Sequence, residues 1–163
     1  MSLNARFDGA SFSSPSPYVP GDSTQVTLAL TNTGTNRRDD RWYDTARVIS
    51  GYMYQFHVLM AVNQNAKDIA TGSRFFIKCC NLTEVVETYA GYNDTTIIIP
   101  FNVPTEPGDY YYEFQMCRIT YDGSVHGGNP QFYQFGDLVS FTVTVLPHPN
   151  SHVVSVSFPD SLY

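Results

Sequence analysis

The stretch from residue 106 to residue 135 constrains the fold more than any other part of the chain. It reads EPGDYYYEFQMCRITYDGSVHGGNPQFYQF, with an aromatic-rich run on either side of Asp122-Gly123. Asp-Gly between two such runs predicts a β-hairpin with a two-residue type I′ turn, because both central residues of that turn need positive φ.

The first of these two runs has an apolar pattern that changes phase. Alternate positions are apolar at Tyr110, Tyr112, Phe114 and Met116, and then one position out of step at Cys117, Ile119 and Tyr121. A phase change within one continuous run is the usual effect of a β-bulge. We therefore expect a bulge near Met116-Cys117.

Other stretches alternate in the same way and predict further short strands. Residues 24–31 place Val26, Leu28 and Leu30 on one face, and residues 139–145 repeat the pattern. Further strand candidates are residues 42–50, 52–62, 73–80, 95–101 and 152–158. Residues 63–72 are polar and predict a loop or one helical turn. Eight or nine short strands separated by turn signals predict an all-β fold, an antiparallel Ig-like β-sandwich, in one domain spanning residues 1–163.

Charge and hydropathy narrow the class of partner. The net charge is −6 with only 9 Lys and Arg, which argues against binding to nucleic acid. No apolar run approaches the roughly 20 residues that a membrane span needs, and no signal peptide is visible. We expect a protein partner, and homo-oligomer formation stays open.

The cysteines and two glycosylation motifs point to different compartments. Three cysteines cannot all pair within one chain, and the adjacent Cys79 and Cys80 should point to opposite faces of a sheet. Free buried thiols in a reducing compartment fit this pattern, so we expect a cytoplasmic protein. Asn81-Leu82-Thr83 and Asn93-Asp94-Thr95 are acceptor triplets that would suit a secreted protein instead.

Motifs for catalysis are absent from the sequence. There is no Gly-x-Ser-x-Gly and no glycine-rich phosphate loop. Cys117 could pair with His57 or His126 as a thiol and imidazole, but a strand position favours a buried structural thiol. Glu113 lies opposite the apolar face of its strand, as an outward residue does. We expect no enzymatic activity and no cofactor.

Two groups of residues could be considered as metal ligands, and neither is convincing. Asp39, Asp40 and Asp44 could approach a calcium ion, but the interleaved Arg37, Arg38 and Arg41 favour local salt bridges. His148 and His152 have helical spacing across a proline and an asparagine, which makes a helix improbable. We expect no metal site.

Aromatic side chains are more numerous than one sandwich core normally absorbs. The chain has twelve tyrosines and eleven phenylalanines. Some of the tyrosines therefore either lie on a surface that contacts protein or carbohydrate, or form cross-strand pairs on a sheet face.

Several motifs resemble those of the SKICH domain, which occurs in phosphoinositide 5-phosphatases and in coiled-coil autophagy receptors. The first half matches at Tyr18-Val19-Pro20-Gly21-Asp22, at Arg37-Arg38-Asp39-Asp40-Arg41-Trp42 and at Arg47-Val48. The second half matches at Tyr111-Tyr112-Glu113-Phe114, Asp122-Gly123, His126-Gly127-Gly128-Asn129-Pro130 and Tyr133-Gln134-Phe135. The resemblance covers residues 12–135, and residues 137–158 add C-terminal strands beyond the usual end of that domain.

The resemblance implies a non-enzymatic protein–protein interaction module that recruits or localises partners within a larger adaptor or scaffold protein. The expected partner is an adaptor or kinase-associated protein. Carried over by position, the implied partner-binding residues are His126, Gly127, Gly128 and Asn129. The alternative is a secreted or viral-surface Ig-like or jelly-roll domain that contacts glycans or receptors.

Overall fold

Ten strands and one short helix make up the part of the chain that the structure, a computed structural model, describes: residues 2–70, 76–78, 87–88, 94–123 and 128–147. The strands are β1 (Ala5–Phe12), β2 (Ser23–Asn32), β3 (Trp42–Tyr43), β4 (Arg47–Ser50), β5 (Met53–Ala61), β6 (Phe76–Lys78), β7 (Glu87–Thr88), β8 (Asp94–Asn102), β9 (Gly108–Asp122) and β10 (Gly128–Val145). The helix α1 (Gln64–Ile69) follows β5. The all-β class expected from the sequence is confirmed.

The strands form two antiparallel sheets that face each other. One has the order β1-β2-β8, and the other has the order β10-β9-β5-β4, with β6 also paired to β5. A two-stranded ladder of β3 and β7 lies beside them. In an Ig sandwich the first, second and fifth strands share one sheet, and the third, sixth and seventh share the other. Here β1, β2 and β8 take the places of the first, second and fifth strands, and β5, β9 and β10 take those of the third, sixth and seventh. The predicted Ig-like sandwich is therefore confirmed.

Strands with clean alternation bury the residues that the sequence indicated. Val26, Leu28 and Leu30 of β2 are completely buried, and Val139, Phe141, Val143 and Val145 of β10 face the same core. Strand β9, which lies next to β10 in the sheet that faces β2, contributes Tyr112, Phe114 and Met116. Each such side chain stabilises the fold by roughly 1.5–3 kcal/mol through burial.

A tyrosine at the start of β9 ties down the connection from β8. The hydroxyl of Tyr110 donates a hydrogen bond to the carbonyl oxygen of Glu106 at 2.6 Å. Ig sandwiches use the same device, a tyrosine near the start of the sixth strand whose hydroxyl binds the backbone a few residues upstream.

The β9–β10 hairpin is present, but its predicted turn is wrong. Asp122 still belongs to β9 and pairs with Gly128 on one side and with Met53 on the other. Gly123 does not have positive φ, and its N–H donates to the carbonyl oxygen of Tyr52 at 2.9 Å. Asp122 therefore belongs to the strand and not to the turn, because its pairing with β5 continues to that residue.

The predicted bulge near Met116-Cys117 is also wrong. The pairing of β9 with β5 runs unbroken from Met53–Asp122 to Ala61–Phe114. The register shifts lie in β10, between Gly128 and Gln131 and between Phe135 and Leu138. The apolar pattern of β9 changes phase because Met116 packs in the main core, whereas Cys117 and Ile119 form a second buried cluster with Val58 on the other face.

The remaining boundaries differ from prediction in detail. Residues 42–50 hold two strands, β3 and β4, and the stretch 63–72, predicted as a loop or one helical turn, contains α1 within its described part. The side-chain oxygen of Asn63 caps α1 by accepting the N–H of Ala66 at 3.0 Å. The strand candidate 152–158, Cys79, Cys80 and the triplet at Asn81 lie outside the described residues. Helix α1 has six residues, and none of the described helical segments could span a membrane.

Candidate functional site

A pocket of about 530 Å³ opens where one sheet extends past the other. Strands β9 and β10 have 15 and 18 residues, whereas the three strands of the facing sheet have 8 to 10. The loop of residues 33–41 folds over the inner face that is left uncovered. We call the space between them the arginine pocket, and its walls are Arg38, Asp39, Arg41, Tyr43, Ile49, Gln55 and Arg118.

Asp40 holds the covering loop in shape. Its side chain is fully buried, and one carboxylate oxygen accepts the backbone N–H groups of Ser2, Thr35 and Asn36 at 3.3, 3.2 and 2.9 Å. The amide of Asn32 donates to the carbonyl oxygen of Asp40 at 2.8 Å. With its backbone fixed in this way, the loop presents Arg38 and Arg41 on the pocket wall.

Arg118 forms the base of the pocket and is held by two hydrogen bonds. Its Nε–H donates to Nε2 of His57 at 3.2 Å, and an Nη2–H donates to the carbonyl oxygen of Asp39 at 2.8 Å. Nδ1 of His57 lies 3.1 Å from the backbone nitrogen and 3.3 Å from the carbonyl oxygen of Tyr43. A neutral ring has only one acceptor nitrogen, so the bond that Nε2 accepts from Arg118 puts the ring proton on Nδ1, where it donates to the Tyr43 carbonyl oxygen and the Tyr43 N–H cannot bond to it. These hydrogen bonds connect the covering loop, β3 and β5 to the guanidinium of Arg118 on β9.

Burial makes this histidine permanently neutral at ordinary pH. Desolvation, and secondarily the positive charge of Arg118, lower the pKa of His57 to about 3. Burial also lowers the pKa of Arg118 from its usual value, but an arginine starts so high that it keeps its charge. The pocket therefore contains a fixed, partly desolvated cation.

Aromatic rings separate the pocket from the core. The ring of Tyr43 meets His57 edge-on at 4.7 Å between centroids, and Trp42 lies 6.0 Å from Phe135. The guanidinium of Arg47 lies 4.4 Å from the centroid of the Tyr43 ring, within the range of a cation–π contact. Gln55 donates to the hydroxyl of Tyr43 at 2.8 Å, which fixes the ring in the pocket wall.

An apolar rim borders the arginine pocket on the side of β4. Val48 is 58% exposed, Ile49 48% and Tyr52 68%, all within one hairpin. Ile49 also lines the pocket, so the rim and the cationic interior are continuous. A run of exposed apolar side chains beside a polar pocket is typical of a surface that meets another macromolecule.

The charge of the arginine pocket is opposite to that of the whole protein. Its wall contains three arginines and one aspartate, whereas the chain has a net charge of −6. The carboxylate of Asp39 accepts a hydrogen bond from the side chain of Asn36 at 3.0 Å. Guanidinium groups bind carboxylate and phosphate oxygens through paired N–H donors. The arrangement can therefore hold an anionic group.

Where the structure describes them, the residues considered for catalysis or metal binding do not come together; His126, His148 and His152 lie outside the described residues. His57 faces the main core, whereas Cys117 faces the second cluster on the other side of the sheet, where burial raises the pKa of its thiol to about 11. Asp39 and Asp40 both accept hydrogen bonds from Asn36, whereas Asp44 accepts one from Thr45. Within the described part of the chain, no three His, Cys, Asp or Glu side chains cluster as metal ligands would.

The residues predicted to bind a partner lie only partly within the described structure. His126 and Gly127 fall outside the described residues, while Gly128 and Asn129 begin β10. Gly128 pairs with Asp122, and Asp122 with Met53, so that segment is at the same end of the sheet as the β4–β5 hairpin.

The arginine pocket was not foreseen from the sequence. The sequence of residues 37–41 indicated a loop in which aspartates neutralise the arginines. Arg118 occupied an ordinary position in a predicted strand. One signal was available: Arg118 is two positions from Met116, on the same side of a strand whose alternation points inward. A charge at an inward position needs a partner or an opening to solvent.

Comparisons with known proteins return little. No model of a known protein family matches the chain, and no curated protein matches it. Among solved structures, it is similar to a Niemann-Pick type C2 protein from Japanese carpenter ant, with 9% sequence identity and a TM-score of 0.37. That similarity covers 90% of this chain and 96% of the other. A likeness of this size says nothing about what the arginine pocket binds.

Proposed function

We propose that this chain is a non-enzymatic interaction module that binds an acidic segment of a protein partner in the arginine pocket. The observation that carries the proposal is the convergence of Arg38, Arg41 and Arg118 on one opening in an otherwise acidic protein. The resemblance to SKICH domains supports the same class of function, in a cytoplasmic adaptor or scaffold.

The fixed position of Arg118 favours binding over loose surface attraction. Exposed ion pairs contribute about 0–1 kcal/mol, because two mobile side chains must be ordered in water. Arg118 is already ordered by His57 and by the carbonyl of Asp39, and it is partly desolvated. Less entropy is lost when an anion binds to a group that is held in advance.

The apolar rim favours a protein ligand over a small anion. A free phosphate or carboxylate would contact only the guanidinium groups. Ile49 offers exposed apolar area in the same wall, and the exposed Val48 and Tyr52 extend it along the β4–β5 hairpin. A peptide with acidic and apolar side chains would use both surfaces.

The proposal is tested with fluorescein-labelled hexaglutamate, using hexalysine as the negative control. The probing variant is Ile49→Asp, which places a carboxylate among the arginines and should weaken hexaglutamate binding at least tenfold. Leu138→Asp is the matched control, because Leu138 is 50% exposed and Ile49 48%, but Leu138 lies on β10 at the far edge of the sheet.

Fluorescence anisotropy at low and moderate salt gives both affinities. Binding that is lost in Ile49→Asp and kept in Leu138→Asp supports the arginine pocket. No binding of hexaglutamate to the unmodified protein, or equal losses in the two variants, would reject it.

Exposed tyrosines support a second candidate function, contact with glycans by a secreted form. Tyr52 is 68% exposed and Tyr133 58%. A glycan array probed with the protein and with Tyr52→Ala and Tyr133→Ala variants separates the two ideas. Signals that depend on these rings would favour glycan binding, and an array without signal would remove that candidate.

A further inference from the structure

We propose that the acidic segment binds as an added β-strand along β4, with alternate side chains entering the arginine pocket. This inference rests on the proposed function, since it states how the same pocket recognises its ligand. The occupant is an extended peptide of another protein in which acidic and apolar residues alternate.

Strand β4 lies at the edge of the five-stranded sheet. Among the residues that the structure describes, β4 pairs with β5 alone. Its residues Val48, Ile49 and Ser50 are all exposed. An exposed edge strand offers backbone N–H and C=O groups to an incoming chain, a recognition mode in which backbone bonds give affinity and alternate side chains give specificity.

The pairing of β4 fixes which side an added strand would present to the arginine pocket. Arg47 pairs with Gln55 on the inner side, and Val48 pairs with Tyr54 on the outer side. A register shift between Val48 and Ser50 leaves Ile49 lining the pocket. A strand added about 4.8 Å beyond β4 would therefore point every second side chain toward Ile49 and the pocket mouth.

Charge complementarity selects acidic residues for the inner positions. The inner side contains Arg38, Arg41 and Arg118, and Arg47 lies over the Tyr43 ring beside them. The outer positions of an added strand would lie beside Val48, which is 58% exposed and apolar. The expected motif is acidic, apolar, acidic, apolar over about five residues.

The test compares four seven-residue peptides that contain the same numbers of glutamates and valines. The first alternates glutamate and valine, and the second has its glutamates and valines in separate blocks. The other two have the alternating order with the backbone nitrogens of alternate residues methylated, one peptide for each of the two possible sets of positions. We expect the unmodified alternating peptide to bind at least tenfold more tightly than the block peptide and than one of the methylated peptides.

Hydrogen exchange of the intact protein provides a second readout. Binding of the alternating peptide should slow amide exchange in β4 and leave β1, in the other sheet, unchanged. The unmodified protein is used throughout, so no variant needs to fold.

The outcomes separate the two proposals. If hexaglutamate binds in the manner expected of the arginine pocket but methylated and block peptides match the alternating one, strand addition is wrong and the proposed function stands. If no acidic peptide binds, both are wrong. If sedimentation shows a dimer whose β4 amides are already protected without peptide, the occupant is a second copy and the inference is overturned.

Discussion

The Nε–H of Arg118 donates a hydrogen bond to Nε2 of His57 over 3.2 Å, inside the fold. A neutral histidine is the only form that can accept this bond, because a protonated ring would place a donor and a positive charge against the guanidinium. The orientation of the most buried cation in the arginine pocket therefore depends on an uncharged histidine.

The neutral state of His57 predicts sensitivity to acid. Histidine in the unfolded chain has its ordinary pKa near 6.5, whereas desolvation holds the pKa of His57 at about 3 in the folded protein. Between those values the unfolded state binds more protons, so the contribution of His57 is complete above pH 6.5 and is lost as the pH falls toward 3. From pH 7 to pH 5, we expect the unmodified protein to lose about 2 kcal/mol more unfolding free energy than His57→Gln.

Urea denaturation of both proteins at the two pH values measures that difference. Every other titrating group is common to the two chains, so its effect cancels to first order. Parallel losses in both proteins would contradict the assignment of a buried neutral His57.

Gly136 should not tolerate a side chain. It has a φ of +79°, and a Cβ placed on it would lie 2.6 Å from the Cβ of Ala5 and 2.7 Å from its backbone nitrogen. Gly51 has a φ of +55°, and a Cβ placed on it would meet no atom within 4 Å. Gly51→Ala therefore measures the cost of positive φ alone. We expect Gly51→Ala to cost about 1 kcal/mol and Gly136→Ala roughly 3 kcal/mol, because the latter adds a clash with backbone atoms. Chemical denaturation gives both numbers, and equal costs would show that β1 and β10 can move apart.

Trp42 should respond more to loss of volume than to loss of its polar group. Its side chain is fully buried, and its Nε1–H has no hydrogen-bond partner among the described atoms. Trp42→Ala should cost about 3–5 kcal/mol by opening a cavity beside Phe135. Trp42→Phe removes the unpaired donor along with part of the ring, so we expect a cost below about 2 kcal/mol. Denaturation followed by circular dichroism compares them, and a similar cost for both would mean that the indole nitrogen has a partner.

The hydroxyl of Tyr110 should contribute measurably to stability. Tyr110→Phe removes the 2.6 Å hydrogen bond to the carbonyl oxygen of Glu106 and should cost about 1 kcal/mol. Tyr52→Phe is the control, since Tyr52 is 68% exposed, and its change should fall within about 0.5 kcal/mol of zero. Thermal or urea unfolding measures the stability change of each variant. Equal changes for Tyr110→Phe and Tyr52→Phe would indicate that water replaces the lost hydrogen bond.

The pattern of apolar residues along the chain was enough to predict the class of fold and much of its core. Period-two alternation in β2, β9 and β10 reports which side chains share a face, and the physics is local, since successive residues of a strand point to opposite sides. Val26, Phe114 and Val143 were therefore predictable as interior residues, and they are completely buried. The polar stretch after β5 was predicted only as a loop or one helical turn, and the structure shows a helix there that Asn63 caps.

The contacts that each strand face makes depend on how the sheets and loops pack together. Alternation in β9 could not reveal that Met116 and Cys117 belong to two separate clusters, so the phase change was misread as a bulge. The arginine pocket depends on residues far apart in the chain: Arg118 donates to the carbonyl oxygen of Asp39, 79 positions earlier. Loop 33–41 has no periodicity to indicate where it packs, and the uncovered end of the long sheet exists only because the facing strands are shorter. Such a site comes from the difference in strand length between the two sheets, and no single segment of the sequence encodes that difference.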